Sequence, residues 1–264
     1  MLAFLIPVKS RKTAKSWPVL CRLFERTVRS VCRQTSQNFT VLVVCNETPQ
    51  ISFSHPNLEF LNVDYPTPSP DLESKNVDKE RKIITGLVAL RNVQPTHVMF
   101  VDSDDCVSRH LADYVDGRSQ QNGWFFESGY EYDDGSDRIL NKSNRFYSIC
   151  GSCNIVRYQL YGVPEQLPPY HEINDYDRFI GGHHVAQSEL AERGTPLEPL
   201  PFPGAVYIRD GYGENMSTQE PWSEKFRRSP REALRGFKKR LVAPFQQQRL
   251  TRDIVDEFGL YSLA

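Results

Sequence analysis

The run Phe39-Thr-Val-Leu-Val-Val-Cys45 is almost wholly apolar and rich in β-branched residues. A strand of that texture has no face to offer to water, so it belongs inside a parallel sheet covered on both sides. Its neighbours support that placement. Residues 3–8 form a first apolar strand, and Leu20, Phe24, Val28 and Val31 recur at helical spacing between the two. Ser16 stands where it can cap that helix, predicted to run to about Arg33, and Pro18 falls in its first turn, where no N–H is needed. A third, partly alternating strand is predicted over Leu58–Val63. A loop carrying Pro66, Pro68 and Pro70 follows, too long for a plain connection and therefore a candidate flap. A helix over Val77–Arg91 turns Ile83, Ile84, Leu87 and Val88 inward, and Val98–Val101 make a short buried strand. Such alternation predicts a mostly parallel sheet with helices on both faces. Ligands on these sheets bind beyond the carboxyl ends of the strands, where this sequence puts Asn46, Glu47, Asp102 and Asp104.

The strand ending at Val101 runs straight into Asp102-Ser-Asp-Asp105. Three carboxylates at the end of a buried strand repel one another unless a positive group lies among them. A hard cation, Mg²⁺ or Mn²⁺, is one candidate, because it takes carboxylate and phosphate oxygens together. The plain alternative is a solvated turn, with Ser108 capping a helix over His110–Val115.

After Gly117 the texture changes. Trp124–Ser128 and Arg138–Leu140 flank Asp133-Asp-Gly135, a hairpin signature, and Arg145–Ile149 and Ile155–Arg157 read as further strands. A helical stretch is predicted from His171-Glu-Ile-Asn-Asp175 to about Arg193, including His183 and His184, and a last strand over Leu200–Arg209. The six cysteines are scattered. Only Cys150-Gly-Ser-Cys153 has metal-like spacing, and no second pair completes a zinc site, so free thiols in a reducing cytoplasm are the expectation. No basic leader or cleavage site precedes the first strand, and no apolar run is long enough to span a bilayer.

The net charge of −1 hides a segregation. Between Glu224 and Arg249 there are nine cations against two carboxylates, a surplus of seven, which leaves −8 on the rest. Ser229-Pro-Arg-Glu232 is a helix start, and beyond it Leu234, Phe237 and Leu241 share one side of the helix, with cations around them. That pattern suits either a helix lying on an anionic membrane or a solvated helix packed on the body. Nucleic acid is not expected, because the arm lacks interleaved aromatics and the body is acidic.

The order Phe4-Leu-Ile-Pro-Val8, then Ser30-Val-Cys-Arg-Gln34 with Phe39–Glu47, then Phe100-Val-Asp-Ser-Asp-Asp105 resembles the GT-A glycosyltransferases, in particular their family-2-like group. The likeness is good over residues 3–115 and loose over 145–215. It implies an α/β, Rossmann-like GT-A domain over 1–220, divided into a nucleotide-sugar half (1–117) and a smaller α+β acceptor half (118–220), with a basic helical arm over 221–264. It implies a hexosyltransferase-type enzyme moving a sugar from a UDP- or GDP-sugar to a hydroxyl of a glycan or lipid-linked acceptor. Pro7, Val8, Asn46, Glu47, Lys79, Arg81, Asp102 and Ser103 would then touch the nucleotide sugar. Asp102 and Asp104 would hold Mn²⁺ or Mg²⁺, with Asp105 behind them, and His184 is the candidate for a further ligand. An inverting enzyme of this kind takes its base from an acidic residue opening a helix below the acceptor; the matching place reads Asn174-Asp175, which makes Asp175 the base and Glu172 its reserve. Two departures stand out: the family's Glu-Asp is Asn-Asp here, and Tyr212-Gly-Glu-Asn-Met-Ser217 lacks the late histidine many relatives carry. The Cys150–Cys153 turn resembles the family's glycine-containing turn near the acceptor sugar. The rival expectations are a sugar nucleotidyltransferase, disfavoured because residues 4–15 contain no glycine, and a non-catalytic nucleotide- or sugar-binding relative. A cytoplasmic site, peripheral to a membrane through the arm, completes the expectation.

Overall fold

The structure is a computed structural model and describes residues 1–167, 169–170, 180, 182–209, 212–214 and 247–263. Strands β1 (Leu2–Pro7), β2 (Phe39–Cys45), β3 (Leu58–Asn62) and β4 (His97–Phe100) run parallel in the order β3-β2-β1-β4, with Leu2 opposite Phe39 and His97. Three more strands extend that sheet: β9 (Asn154–Arg157), antiparallel to β4, then β6 (Gly123–Phe125) and β10 (Glu198–Pro199).

Side chains alternate across a strand, and β1 uses both faces. Leu2, Phe4 and Ile6 pack with Leu20, Phe24, Val28 and Val31 of helix α1 (Trp17–Val31). Ala3 and Leu5 pack with Ile83, Ile84 and Leu87 of helix α2 (Leu72–Ala89). Double coverage is why β1 and β2 read as continuous apolar runs. Gly86 lets α2 settle onto β1, since a Cβ there would lie 2.2 Å from Leu5 Cδ1.

A second sheet, order β12-β8-β7-β11-β5, is built from β5 (Cys106–Val107), β7 (Gly129–Asp133), β8 (Arg138–Lys142), β11 (Ala205–Arg209) and β12 (Gln247–Arg249). Tyr132, Ile139, Val206 and Ile208 close its core against Phe258 of helix α5 (Arg252–Phe258) and Leu260. The molecule is therefore mixed α/β, with one mostly parallel sheet and one mainly antiparallel. The chain crosses from the first sheet to the second between β4 and β5. Asp102–Asp105 make that crossing, which puts them between the two sheets.

Several boundaries differ from the sequence expectation, each for a local reason. Helix α2 starts before Val77 because Asp71 accepts from the Ser74 N–H (2.8 Å) and from its hydroxyl (2.8 Å), so residues 78–82 lie inside the helix. The Ser16 side chain makes no capping hydrogen bond; its backbone N–H donates to Glu214 (2.6 Å). The Asp133–Gly135 turn does join a hairpin, but its first strand is Gly129–Asp133, while Trp124 enters the first sheet. Residues 146–148 form a 3-10 turn, not a strand, and Arg145 ahead of them is left-handed (φ 52°). Pro201 and Pro203 have no N–H for a ladder, so the last strand begins at Ala205. His183 and His184 sit in a turn before helix α4 (Ala186–Glu192). Helix α3 is short (Leu111–Val115), and Ser108 Oγ accepts from the His110 N–H ahead of it (3.1 Å). Most of the basic arm, and with it the predicted helix after Ser229, lies outside the described residues. Among the described residues no helix is long and apolar enough to cross a membrane.

His97 at the start of β4 is fully buried beside Trp124, with ring centroids 5.1 Å apart, and its Nε2 lies 3.0 Å from the Gln121 carbonyl. Burial, only partly offset by that carbonyl, pushes its pKa down to about 4. The unfolded chain takes up a proton below about pH 6.5 that folded His97 refuses. The resulting stabilisation is complete above pH 6.5 and is lost as pH falls through about 4, to the extent of a few kcal/mol at most. We expect the His97 imidazole resonance to remain that of the neutral ring at pH 5; a charged ring there would contradict this reading.

Candidate functional site

Beyond the carboxyl ends of β1 and β4 lies a cavity of about 820 Å³. Its lining collects Pro7, Val8, Lys79, Asp102, Ser103, Asp104 and His184 of the sequence candidates. Asp102, Ser103 and Asp104 are half-buried in a tight turn closed by the Asp105 N–H on the Asp102 carbonyl (3.2 Å). A turn of this kind at the exit of a buried strand aims short polar side chains at the cavity.

Asp105 points the other way and is fully buried. It accepts from Ser152 Oγ (2.8 Å), Cys150 Sγ (3.3 Å) and the Ile208 N–H (3.2 Å). Ser152 Oγ in turn accepts from the Asp102 N–H (2.8 Å). Burial, and then the Asp102 charge, push the Asp105 pKa up to about 7. Asp105 thus pins the turn to the Cys150–Cys153 segment and to β11. That segment packs on the carboxylate itself: a Cβ on Gly151 would lie 2.4 Å from Asp102 Oδ2, so a larger residue there would have to push the carboxylate aside. Cys150 and Cys153 are buried with their pKa values raised well above the usual thiol range, chiefly by desolvation. They are inert packing groups here.

Helix α2 supplies the opposing wall. Lys75, Asp78, Lys79 and Lys82 recur at spacings of three and four and all line the cavity. Lys79 Nζ forms an ion pair with Asp102 Oδ1, and Lys82 forms a buried pair with Asp78 (2.8 Å). Arg81 falls on another side of the helix, its guanidinium 3.2 Å above the Tyr170 ring, and is not among the lining residues.

Two other sequence candidates stand outside the lining. Glu47 accepts from Ser10 Oγ (3.1 and 3.2 Å) and the Arg11 N–H (2.9 Å), bracing the loop after β1. Asn46 Nδ2 donates to the Tyr65 carbonyl (2.9 Å). Asp175 and Glu172 lie outside the described residues.

Sequence reasoning overlooked Lys9, just past β1, which lines the cavity and donates to the Glu214 carbonyl (2.7 Å) while pairing with its carboxylate. A lysine directly after a first parallel strand is a readable signal; its partner 205 residues on is not. His183 is half-buried, its pKa pushed down to about 4 by desolvation, with Asp102 partly countering. His184 beside it is exposed.

Among the described residues no three His, Cys, Asp or Glu side chains converge as a ready-made metal site. Asp102 and Asp104 face a cavity whose lining also carries Lys9, Lys75, Lys79 and Lys82, with Asp78, Glu80 and Glu214 among them, and that lining suits a different arrangement. Mg²⁺-type cations are commonly held by one or two carboxylates and complete their shell with substrate phosphates.

No family model matches the chain, and no curated protein matches it in sequence. Among solved structures it is similar to TarS of S. aureus, at 13% identity and a TM-score of 0.42, over 79% of this chain and 36% of that one. The chain thus spans little more than a third of that protein's length.

Proposed function

We propose that this chain is a glycosyltransferase of the GT-A kind, taking a UDP- or GDP-sugar and passing the sugar to a hydroxyl of a glycan or lipid-linked acceptor. The observation that carries this reading is the Asp102–Asp104 turn. It leaves a parallel strand at its carboxyl end and faces a cavity large enough for a nucleotide sugar, with Lys9, Lys75 and Lys79 around it. Asp102 and Asp104 would hold Mn²⁺ or Mg²⁺ together with the diphosphate, His184 being the candidate further ligand; the ion would neutralise charge on the leaving diphosphate. Lys79 and Lys9 would add positive charge beside that diphosphate. Pro7, Val8 and Ser103 shape the wall against the nucleotide.

In this reading the enzyme inverts, with Asp175 taking the acceptor proton and Glu172 in reserve. Asp175→Asn is expected to leave donor binding unchanged and to slow transfer by about 10²-fold or more. Near-normal turnover in that variant, with Glu172→Gln inactive, would exchange the two roles. The basic arm after residue 221 is proposed to rest on an anionic membrane surface near a lipid-linked acceptor.

Thermal unfolding with UDP, GDP and their sugars, with and without Mn²⁺, tests the whole reading. Metal-dependent stabilisation by a nucleoside diphosphate, followed by slow hydrolysis of one sugar donor, is the expected result. Release of pyrophosphate from a nucleoside triphosphate and a sugar phosphate would identify a nucleotidyltransferase instead. Binding without turnover would identify a non-catalytic relative.

A further inference from the structure

We infer that Lys79 is an exchange residue: it neutralises Asp102 while no donor is bound, and releases that carboxylate to a divalent cation only when a diphosphate arrives to take its ammonium group. This rests on the donor proposed above, and it assigns a specific order to the binding of its parts.

The two ends of the Lys79–Asp102 pair differ in freedom. The Asp102 backbone is anchored: Ser152 accepts from its N–H, Asp105 holds Ser152, and Oδ2 packs against Gly151. Lys79 stands on α2, whose Ile83, Ile84 and Leu87 are fixed in the core, but its own stem is long and rotatable. The side chains of Lys79 and Asp102 keep 32% and 29% exposure, so the pair faces the cavity and is open to exchange. Lys75 lies one turn earlier on the same face, and Asp78 is already taken by Lys82, while Glu80, which also lines the cavity, makes no ion pair with Lys79 like the one Asp102 makes.

A bare cation approaching Asp102 must therefore break the Lys79 ion pair and brings nothing to take the displaced ammonium group. A cation that comes with a diphosphate does not, because the phosphate oxygens accept the ammonium as the carboxylate lets it go. Metal and nucleotide then bind cooperatively, and by linkage each raises the affinity of the other by the same factor.

The test measures MnCl₂ binding to the full chain from the electron paramagnetic resonance signal of free Mn²⁺, alone and with saturating UDP or GDP. The wild type should bind Mn²⁺ weakly alone and about tenfold or more tightly with nucleotide. Lys79→Met should bind Mn²⁺ alone about tenfold more tightly than wild type, with the nucleotide effect largely gone. Lys79→Arg, which keeps the ion pair, should behave as wild type, and Asp102→Asn added to Lys79→Met should remove the gained affinity. Should Lys79→Met fail to fold, Lys79→Gln takes its place. Unchanged Mn²⁺ affinity in the folded neutral variant, with nucleotide and Mn²⁺ still binding together, would overturn the exchange and leave the donor reading standing. Failure of the wild type to bind any nucleoside diphosphate with Mn²⁺ would overturn both.

Discussion

Asp104→Ala is expected to abolish sugar transfer, by about 10³-fold or more, while the protein stays folded. Asp104 is half-buried and lines the cavity, so its loss opens no hole in the core. In the proposed reaction it would hold the metal together with Asp102, and unlike Asp102 it is not the carboxylate that Lys79 hydrogen-bonds. Its removal would therefore subtract charge stabilisation that grows as the anomeric bond breaks, which is the kind of interaction that sets turnover. Asp105 provides the contrast. It is fully buried and accepts hydrogen bonds from Ser152, Cys150 and the Ile208 backbone. Asp105→Ala should lower the unfolding midpoint by leaving those donors unpaired, whereas Asp104→Ala should not. Turnover assays paired with thermal unfolding of the two variants decide the matter. An Asp104→Ala enzyme with near wild-type turnover and Mn²⁺-dependent nucleotide binding would end the metal assignment.

How far the sequence reveals such roles depends on whether the cause is local. Strands β1, β2 and β4 and the inner face of α1 are legible because double burial leaves an unbroken apolar signature. The position of the Asp102–Asp104 turn is legible because an apolar strand run stops abruptly at Asp102. Yet the sequence does not separate Asp104 from Asp105, which face opposite ways, since that depends on Ser152 and Ile208 arriving from distant strands. Glu47 shows the same limit: a strand ending in an acidic residue does not reveal that Ser10 and Arg11 will claim its oxygens. Placing the start of α2 at Val77 hides a signal that is present, Asp71 capping through Ser74. A start at Leu72 puts Lys75, Lys79 and Lys82 on one helical face, so the lysine wall is in principle readable. The Lys79–Asp102 pair is not, because nothing in the local pattern registers two side chains across a cavity.

Arg26→Met is expected to destabilise the protein by about 3–5 kcal/mol, the loss typical of a buried ion pair deprived of one partner. Arg26 lies in α1, and its side chain is fully buried. Its Nη1 donates to Asp134 Oδ1 (3.0 Å) and to the Tyr261 carbonyl (3.1 Å), and the Asp134 side chain is only 2% exposed. One guanidinium thus joins the helix covering the first sheet to the β7–β8 turn of the second and to the chain's C-terminal segment. Methionine keeps much of the apolar stem, so the effect isolates the charge from the packing. The variant is left with an unpaired carboxylate in a site shielded from solvent, and that, more than a lost attraction, is the source of the cost. Removing the second charge should then restore most of what removing the first took away. Arg26→Met combined with Asp134→Asn should therefore be substantially more stable than Arg26→Met alone, as read from urea unfolding midpoints at constant slope. If the two substitutions simply add, or if Arg26→Met costs less than about 1 kcal/mol, the pair is solvated and does not join the two sheets in the way its burial implies.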